Sequence, residues 1–433
     1  MTENVQINAY KRALKCFPGG VNSPVRAFKA VGSNPVFIKS AYKSCVTSID
    51  DISYIDYVGS WGPMILGHAD RDVVEAVCKA AERSLSFGAP TQAETELAEL
   101  IKEAFPNIEK MRFVSSGTEA TMSAIRLARG YTRKNYIIKI DGAYHGHGDS
   151  VLVSAGSGVA TFVAPGCPGI PDTVANNTLV VPYNDVKALE KCFEKYQKQI
   201  ACVITEPVCG NMGVVLPQKN YLASLRKLCT QHNALLIFDE VMTGFRACFG
   251  GVSKIENVEP DITCLGKVVG GGMPLAVYGG KAEIMACVSP DGPVYQAGTL
   301  SGNPIAVAAG MATLRKIKSI PTFYCDLEIK SKAVEAAFKK AADDNGVRVA
   351  LNRFGSMMTV FFTENEVTDY ESAKKSNLKF FAEWFNQMLK RGIYLAPSQF
   401  EAAFVSITHS DEDIEKTAIA AREALKASLH AAC

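Results

Sequence analysis

The chain has 433 residues, is 48% hydrophobic and 21% charged, and carries a formal net charge of +2. That composition suits a globular protein with a large buried core, in two or three domains or one large domain with a smaller companion. It offers no basic block for nucleic acid and no apolar run of the roughly 18 residues that span a bilayer, and its first residues lack the apolar core of a secretory signal. Thirteen cysteines, an odd number with no C-x-x-C pair, argue against a zinc ribbon or a disulfide framework. They read as reduced, small apolar residues, and the expected place is the cytoplasm.

Along the chain, Pro18 to Asp56 is rich in turn residues and short strands. From about Trp61 to Gly310, short apolar runs (MRFV, NYIIKI, ACVIT, ALLIF, DITCLG) alternate with amphipathic stretches such as EATMSAIRLARGYT and NYLASLRKLCTQH. Such alternation predicts an α/β fold with a largely parallel sheet covered by helices on both faces. Ser154 to Asn177, dense in Gly, Ser and Pro, reads either as a surface loop or as a lid over a site. After Gly310 come two helical regions, Ser331–Asp343 and Ala373–Lys390, and the short strand MMTVFF. The expected organisation is a large domain over 61–310 and a small domain built from 1–60 and 311–433.

Four features lie where an α/β sheet places ligands, at the carboxyl ends of strands. SSGTEA, Ser115 to Ala120, follows MRFV and opens a helix. Backbone N–H groups at Ser116, Gly117 and Thr118, with the helix dipole behind them, make a phosphate cradle. The same pattern also starts many ordinary helices. GAYHGHGD, Gly142 to Asp149, places Tyr144 to stack on a planar ring. His145 and His147 alone are weak evidence for a metal, and none is expected. LLIFDEV, Leu235 to Val241, ends an apolar strand in an acid. Asp239 beneath a pyridine nitrogen would keep it protonated, and Val241, on the same strand face, could pack on the ring. Without that ring, Asp239 is a strand-end cap. CLGKVVGGGMP, Cys264 to Pro274, sets Lys267 before three glycines. Such a lysine can serve as nucleophile and base, or simply flank a glycine loop.

Together these features make the chain recognisable. It resembles the class III aminotransferases, which are fold-type-I enzymes dependent on pyridoxal 5'-phosphate (PLP), and more narrowly their aminomutase branch. The resemblance runs through PGGVNSPVRAF, YIDYVGSWGPMILGH, SSGTEATMSAIRLARG, YHGHGD, EPVCGNMG, DEVMTGFR, CLGKVVGGGMP, GPVYQAGTLSGNP and YLAPSQFEA. NSPVRAF and GSWGP belong more to the branch than to the whole family. The resemblance implies Lys267 as the catalytic lysine that links to the cofactor, and Asp239 as the partner of the ring nitrogen. It gives the phosphate to Ser116, Gly117 and Thr118, with Thr299 completing the phosphate site of a neighbouring subunit. That role needs a homodimer with shared active sites. Ser23, Arg26 and Trp61 would contact substrate, with Glu401 near its amine. The alternative for Arg26 is an ordinary surface arginine.

Asn211 discriminates within the family. Family members that use glutamate as donor typically carry a second glutamate there, five residues after the first, which pairs with an arginine. Asparagine cannot make that ion pair, which argues against an external 2-oxo acid. The implied reaction moves an amine within one molecule. Glutamate 1-semialdehyde, (S)-4-amino-5-oxopentanoate, becomes 5-aminolevulinate through 4,5-diaminovalerate, in tetrapyrrole (porphyrin) biosynthesis. The cofactor would alternate between PLP and pyridoxamine 5'-phosphate, with substrate supplied by a glutamyl-tRNA reductase. The alternative is an ω-aminotransferase with an external oxo-acid acceptor. Cys209 departs from the residues usual at its position.

Overall fold

The computed structural model describes residues 5–153 and 167–432, so the lid expected at 154–177 lies mostly outside the described residues. The chain divides into two compact units. One holds Met1–Asp70, Cys325–Val367 and Glu371–Cys433. The other holds Arg71–Tyr324 with Thr368–Tyr370. Among the described residues, no helix is long and apolar enough to cross a membrane.

The first unit contains two small sheets. Strands β1 (Ile38–Tyr42), β2 (Cys45–Ser48) and β3 (Ser53–Asp56) pair antiparallel, and β13 (Ile393–Tyr394) adds parallel to β3. The second sheet joins β11 (Ala350–Phe354), β12 (Met357–Phe361) and β14 (Ala403–Phe404), all antiparallel. The predicted helix Ser331–Asp343 extends back to Phe323 and ends at Asp344. The predicted helix Ala373–Lys390 proves to be two pieces, Tyr370–Ala373 and Leu378–Lys390. Asn377 starts the second, because its side chain accepts from Phe380 N at 3.0 Å.

The larger unit is built on a seven-stranded sheet. In chain order its strands are β4 (Lys110–Val114), β5 (Tyr136–Ile140), β6 (Thr178–Val181), β7 (Ile200–Thr205), β8 (Leu235–Glu240), β9 (Ile262–Leu265) and β10 (Ala276–Gly280). Their spatial order is β4-β10-β9-β8-β7-β5-β6. Neighbours from β9 to β6 run parallel, whereas β10 is antiparallel to both β9 and β4. Strands β7, β8 and β9 are buried along their whole length. This is the continuous apolar character of strands covered on both faces. Thr368–Tyr370 belong here because Asn184 Nδ2 donates to Thr368 O at 2.8 Å and the Tyr370 ring packs on Gly142. The left-handed φ of +75° at Gly142 suits glycine, and a Cβ there would stand 2.6 Å from Tyr370 Cγ.

Helix Gln92–Ala104 shows how local sequence fixes an element. Thr91 caps it, and Glu94 closes a capping box by accepting from Thr91 N at 2.8 Å. Thr91→Ala removes an N-cap worth about 1 kcal/mol. The expected result is a melting temperature lower by about 2 °C, with unchanged activity. An unchanged melting temperature would count against the cap.

Candidate active site

In the larger unit the four sequence features meet at the strand ends. Ser116 caps helix Gly117–Thr132: its hydroxyl accepts from Glu119 N at 3.2 Å, and Glu119 accepts in turn from Ser116 N at 3.1 Å. The capping box presents the first turn of the helix, Gly117 and Thr118, at the end of β4. Thr118 Oγ1 also accepts from His147 N at 3.3 Å. Gly146 packs against it: a Cβ there would lie 2.6 Å from Thr118 Cα. The loop bearing Tyr144 is thereby fixed to the start of the helix.

Val241 joins three segments. A Cβ on Gly117 would lie 3.1 Å from Val241 Cγ1, and one on Gly266 3.0 Å from the same atom. The helix start, the end of β8 and the residue before Lys267 therefore touch. Contrary to the expectation from sequence, Val241 does not share a strand face with Asp239. Strand β8 stops at Glu240, and Val241 N turns back to donate to Asp239 Oδ1 at 3.1 Å.

Asp239 is 5% exposed. Its Oδ2 lies 2.8 Å from Nδ1 of the buried His145. An ionised carboxylate only accepts, so Nδ1 carries the proton. His145 is thus the orienting partner of Asp239. Thr121 Oγ1, on the capped helix, donates to His145 O at 2.6 Å. One chain of contacts therefore runs from the helix through His145 to Asp239.

Lys267 opens a short 3-10 helix, Lys267–Gly270, with an unusual left-handed φ of 50°. Gly271 follows at φ +57°, where a Cβ would lie 2.5 Å from Ala309 O. The glycines let this turn press against helix Pro304–Ser319.

Glu206, which sequence reasoning passed over, links the Tyr144 and Asn211 loops. It is buried, and its Oε1 accepts from Tyr144 N at 3.0 Å. Its Oε2 accepts from Gly210 N at 3.0 Å and from Asn211 Nδ2 at 2.8 Å. Burial pushes its carboxyl above the usual range, while His145 and the N–H donors of Gly210 and Tyr144 pull the other way. Lys139, in the middle of β5, is fully buried, and burial lowers its ammonium to about 8. Its Nζ donates to Ile140 O at 3.0 Å.

Thr299 lies in an exposed segment of the same unit, beside Leu300. The remaining candidates lie in the smaller unit. Ser23 precedes the 3-10 turn Pro24–Ala27 that carries the exposed Arg26, and Arg26 N donates to Ser23 O at 3.1 Å. Trp61 ends the turn Gly59–Trp61. Glu401 lines a small cavity with Met358, Trp384 and Leu395.

The donor set in the larger unit fits a phosphorylated pyridine aldehyde. It offers helix N–H groups for the phosphate, a carboxylate for the ring nitrogen and a lysine amine for the aldehyde. The comparisons agree. Residues 28–421 match the family described as Aminotransferase class-III. A glutamate-1-semialdehyde 2,1-aminomutase from Sulfurihydrogenibium sp. is 56% identical over 417 residues, 96% of this chain and 97% of that protein. One from Persephonella marina is 55% identical, over 97% of this chain and 98% of that protein. Among solved structures, an omega-transaminase from Sphaerobacter thermophilus superposes with TM-score 0.91 at 29% identity, covering 99% of this chain and 98% of that one. A glutamate-1-semialdehyde aminomutase from Pseudomonas aeruginosa in complex with PMP gives TM-score 0.86 at 25% identity, covering 97% of this chain and 94% of that one. The chain belongs to the class III aminotransferases, fold-type-I enzymes that use pyridoxal phosphate, and within them to the glutamate-1-semialdehyde 2,1-aminomutases.

Proposed function

We propose that this protein converts (S)-4-amino-5-oxopentanoate to 5-aminolevulinate by moving the amine from C4 to C5 within one molecule. The observation that carries the reading is identity of 55–56% to relatives of that name over 96–97% of the chain. Bound PLP supplies an electron-withdrawing ring that accepts the amine and spreads negative charge from the reacting carbon.

The chain's own residues do the rest. The N–H groups of Gly117 and Thr118 hold the phosphate with the hydroxyl proton of Ser116, whose own N–H is given to Glu119. Asp239, oriented by His145, keeps a proton on the ring nitrogen. Tyr144 and Val241 confine the ring. Lys267 Nζ delivers a proton to C5 in the first half of the reaction and removes one from C4 in the second. Ser23, Arg26 and Trp61 bind the substrate carboxylate side, and Glu401 lies near its amine. Asn211 is tied to Glu206 at 2.8 Å, which suits a residue that stays in place while one substrate is retained. The intermediate 4,5-diaminovalerate stays bound, so the second half is effectively unimolecular.

A second copy of this chain completes the site. Leu85, Phe87, Tyr295 and Leu300 are 69%, 52%, 71% and 55% exposed, and Asn303 Nδ2 donates to Leu85 O at 2.7 Å. Large apolar side chains of this kind suit a covered face, and Thr299 sits among them to reach the partner's phosphate. A cytoplasmic place, with the aldehyde supplied by a glutamyl-tRNA reductase, is part of the same reading; every described cysteine is free.

Incubation of the holoenzyme with glutamate 1-semialdehyde tests the reading. The expected result is 5-aminolevulinate without any oxo acid and no gain in rate with 2-oxoglutarate. Turnover that requires 2-oxoglutarate would replace the reading with an ω-aminotransferase.

A further inference from the structure

The turn that carries Trp61 is built in an unusual way. Four consecutive residues, Gly59, Ser60, Trp61 and Gly62, have φ of 52°, 56°, 68° and 114°. Glycine adopts such angles readily, but serine and tryptophan do not. A left-handed run through two such residues persists only where its surroundings hold it.

Asp56, the last residue of β3, does the holding. It is 4% exposed. Its Oδ1 accepts from Val58 N at 2.8 Å and its Oδ2 from Gly59 N at 3.1 Å. The carboxylate therefore grips the two N–H groups that lead into the left-handed run. Inside the turn, Trp61 N donates to Val58 O at 2.8 Å and Gly62 N to Gly59 O at 3.1 Å.

The other end of the loop returns to the same carboxylate. His68 Nε2 lies 2.7 Å from Asp56 Oδ2. The His68 backbone is anchored in turn: its N–H donates to Lys43 O at 2.7 Å, and its carbonyl accepts from Lys43 N at 2.9 Å. Just before it, Gly67 at φ +81° lets the chain press against Thr408, where a Cβ would lie 2.2 Å from Oγ1. On the neighbouring side, Tyr57 stacks on His409 with ring centroids 4.7 Å apart, and Phe404 N donates to Tyr57 O at 2.7 Å. Asp56 and His68 thus close a loop with Trp61 near its middle and fixed backbone at both ends.

We infer that Asp56 and His68 form a positioning clasp that holds the Gly59–Gly62 turn in its left-handed run and so sets the pose of Trp61 toward substrate. This rests on the reading of Trp61 as a substrate-pocket residue. Neither clasp residue touches the reacting atoms; both act through the turn. The clasp therefore governs how well substrate is held and leaves the proton-moving group unchanged.

The test uses the holoenzyme and the variants His68→Ala, His68→Gln and Trp61→Ala. Glutamine keeps a side-chain N–H donor for Asp56 and alanine does not. His68→Ala is expected to raise KM about tenfold, the loss of one charge-assisted hydrogen bond. Its kcat should change far less, and the cofactor absorbance should be unaltered. His68→Gln should recover most of the lost KM. In a Trp384→Phe background Trp61 is the sole tryptophan, since the chain has two. There, His68→Ala should shift the tryptophan emission, and His68→Gln should restore it. An emission spectrum unmoved by His68→Ala would overturn the clasp. So would a fall in kcat with KM unchanged, or a loss that His68→Gln does not recover. A Trp61→Ala enzyme with unchanged KM would instead refute the placement of Trp61 in the substrate pocket, and the emission would still decide whether the clasp exists.

Discussion

Lys267→Ala is expected to lower turnover by roughly 10⁴-fold, the upper end of what a positioned general acid–base group contributes. The size follows from its place in both halves of the reaction. One amine delivers the proton to C5 and withdraws the proton from C4, so its removal blocks both. The position also explains why no neighbour substitutes. Lys267 sits at φ 50° on a turn held by Gly271 against Ala309, and its precursor Gly266 packs on Val241. The buried Lys139 of the same unit lies within β5 with its Nζ donating to Ile140 O. A single-turnover assay with the variant loaded with pyridoxamine phosphate checks this. The melting temperature should remain near that of the parent, because one half-buried side chain is lost without disturbing the glycine turn. Turnover within tenfold of the parent would remove Lys267 from the proton transfers.

Asp239→Asn gives the second large effect. A carboxylate beside a ring nitrogen raises that nitrogen's pKa by roughly 1–3 units, and an isosteric amide forfeits the charge. Each unit corresponds to a factor of ten, so kcat should fall by up to about 10³-fold. Geometry should survive, because Asn can still accept from Val241 N as Asp239 does at 3.1 Å. His145→Ala should lower kcat by only about tenfold, since the charge stays and only its orientation loosens. The ranking is the content of the prediction: a larger loss in His145→Ala than in Asp239→Asn would mean that orientation, and not charge, is what Asp239 supplies. The pH dependence of the cofactor absorbance in Asp239→Asn gives an independent reading of the same proton.

Much of the larger unit was legible because buried parallel strands must be apolar. Strands β5, β7, β8 and β9 stand out as IIKI, ACVIT, LLIF and ITCL for that reason. Strand β10 escaped because Gly279 and Gly280 look like a turn. In the sheet they are required by contact: a Cβ on Gly280 would lie 2.1 Å from Asp261 O. The cap of helix Gly117–Thr132 was readable, since S-x-x-E is a local signal at Ser116 and Glu119. The partner of Asp239 was not. His145 lies 94 residues away along the chain, and nothing in Y-H-G-H marks its imidazole as the partner of a distant carboxylate. Glu206 was hidden for a similar reason: its acceptors serve Tyr144 N, 62 residues distant, as well as the nearby Asn211. The run from Gly59 to Gly62 shows the limit most clearly. Two glycines hint at a turn, but nothing in a serine and a tryptophan announces left-handed backbone, which tertiary hydrogen bonds to Asp56 impose.

The identity of the cofactor-bearing residue is the point on which the account depends most. Borohydride reduction of the PLP-loaded protein, followed by peptide mass mapping, tests it directly. The account predicts a single pyridoxyl adduct, on the peptide containing Lys267 and on that residue. An adduct on any other lysine, or none at all, would contradict it.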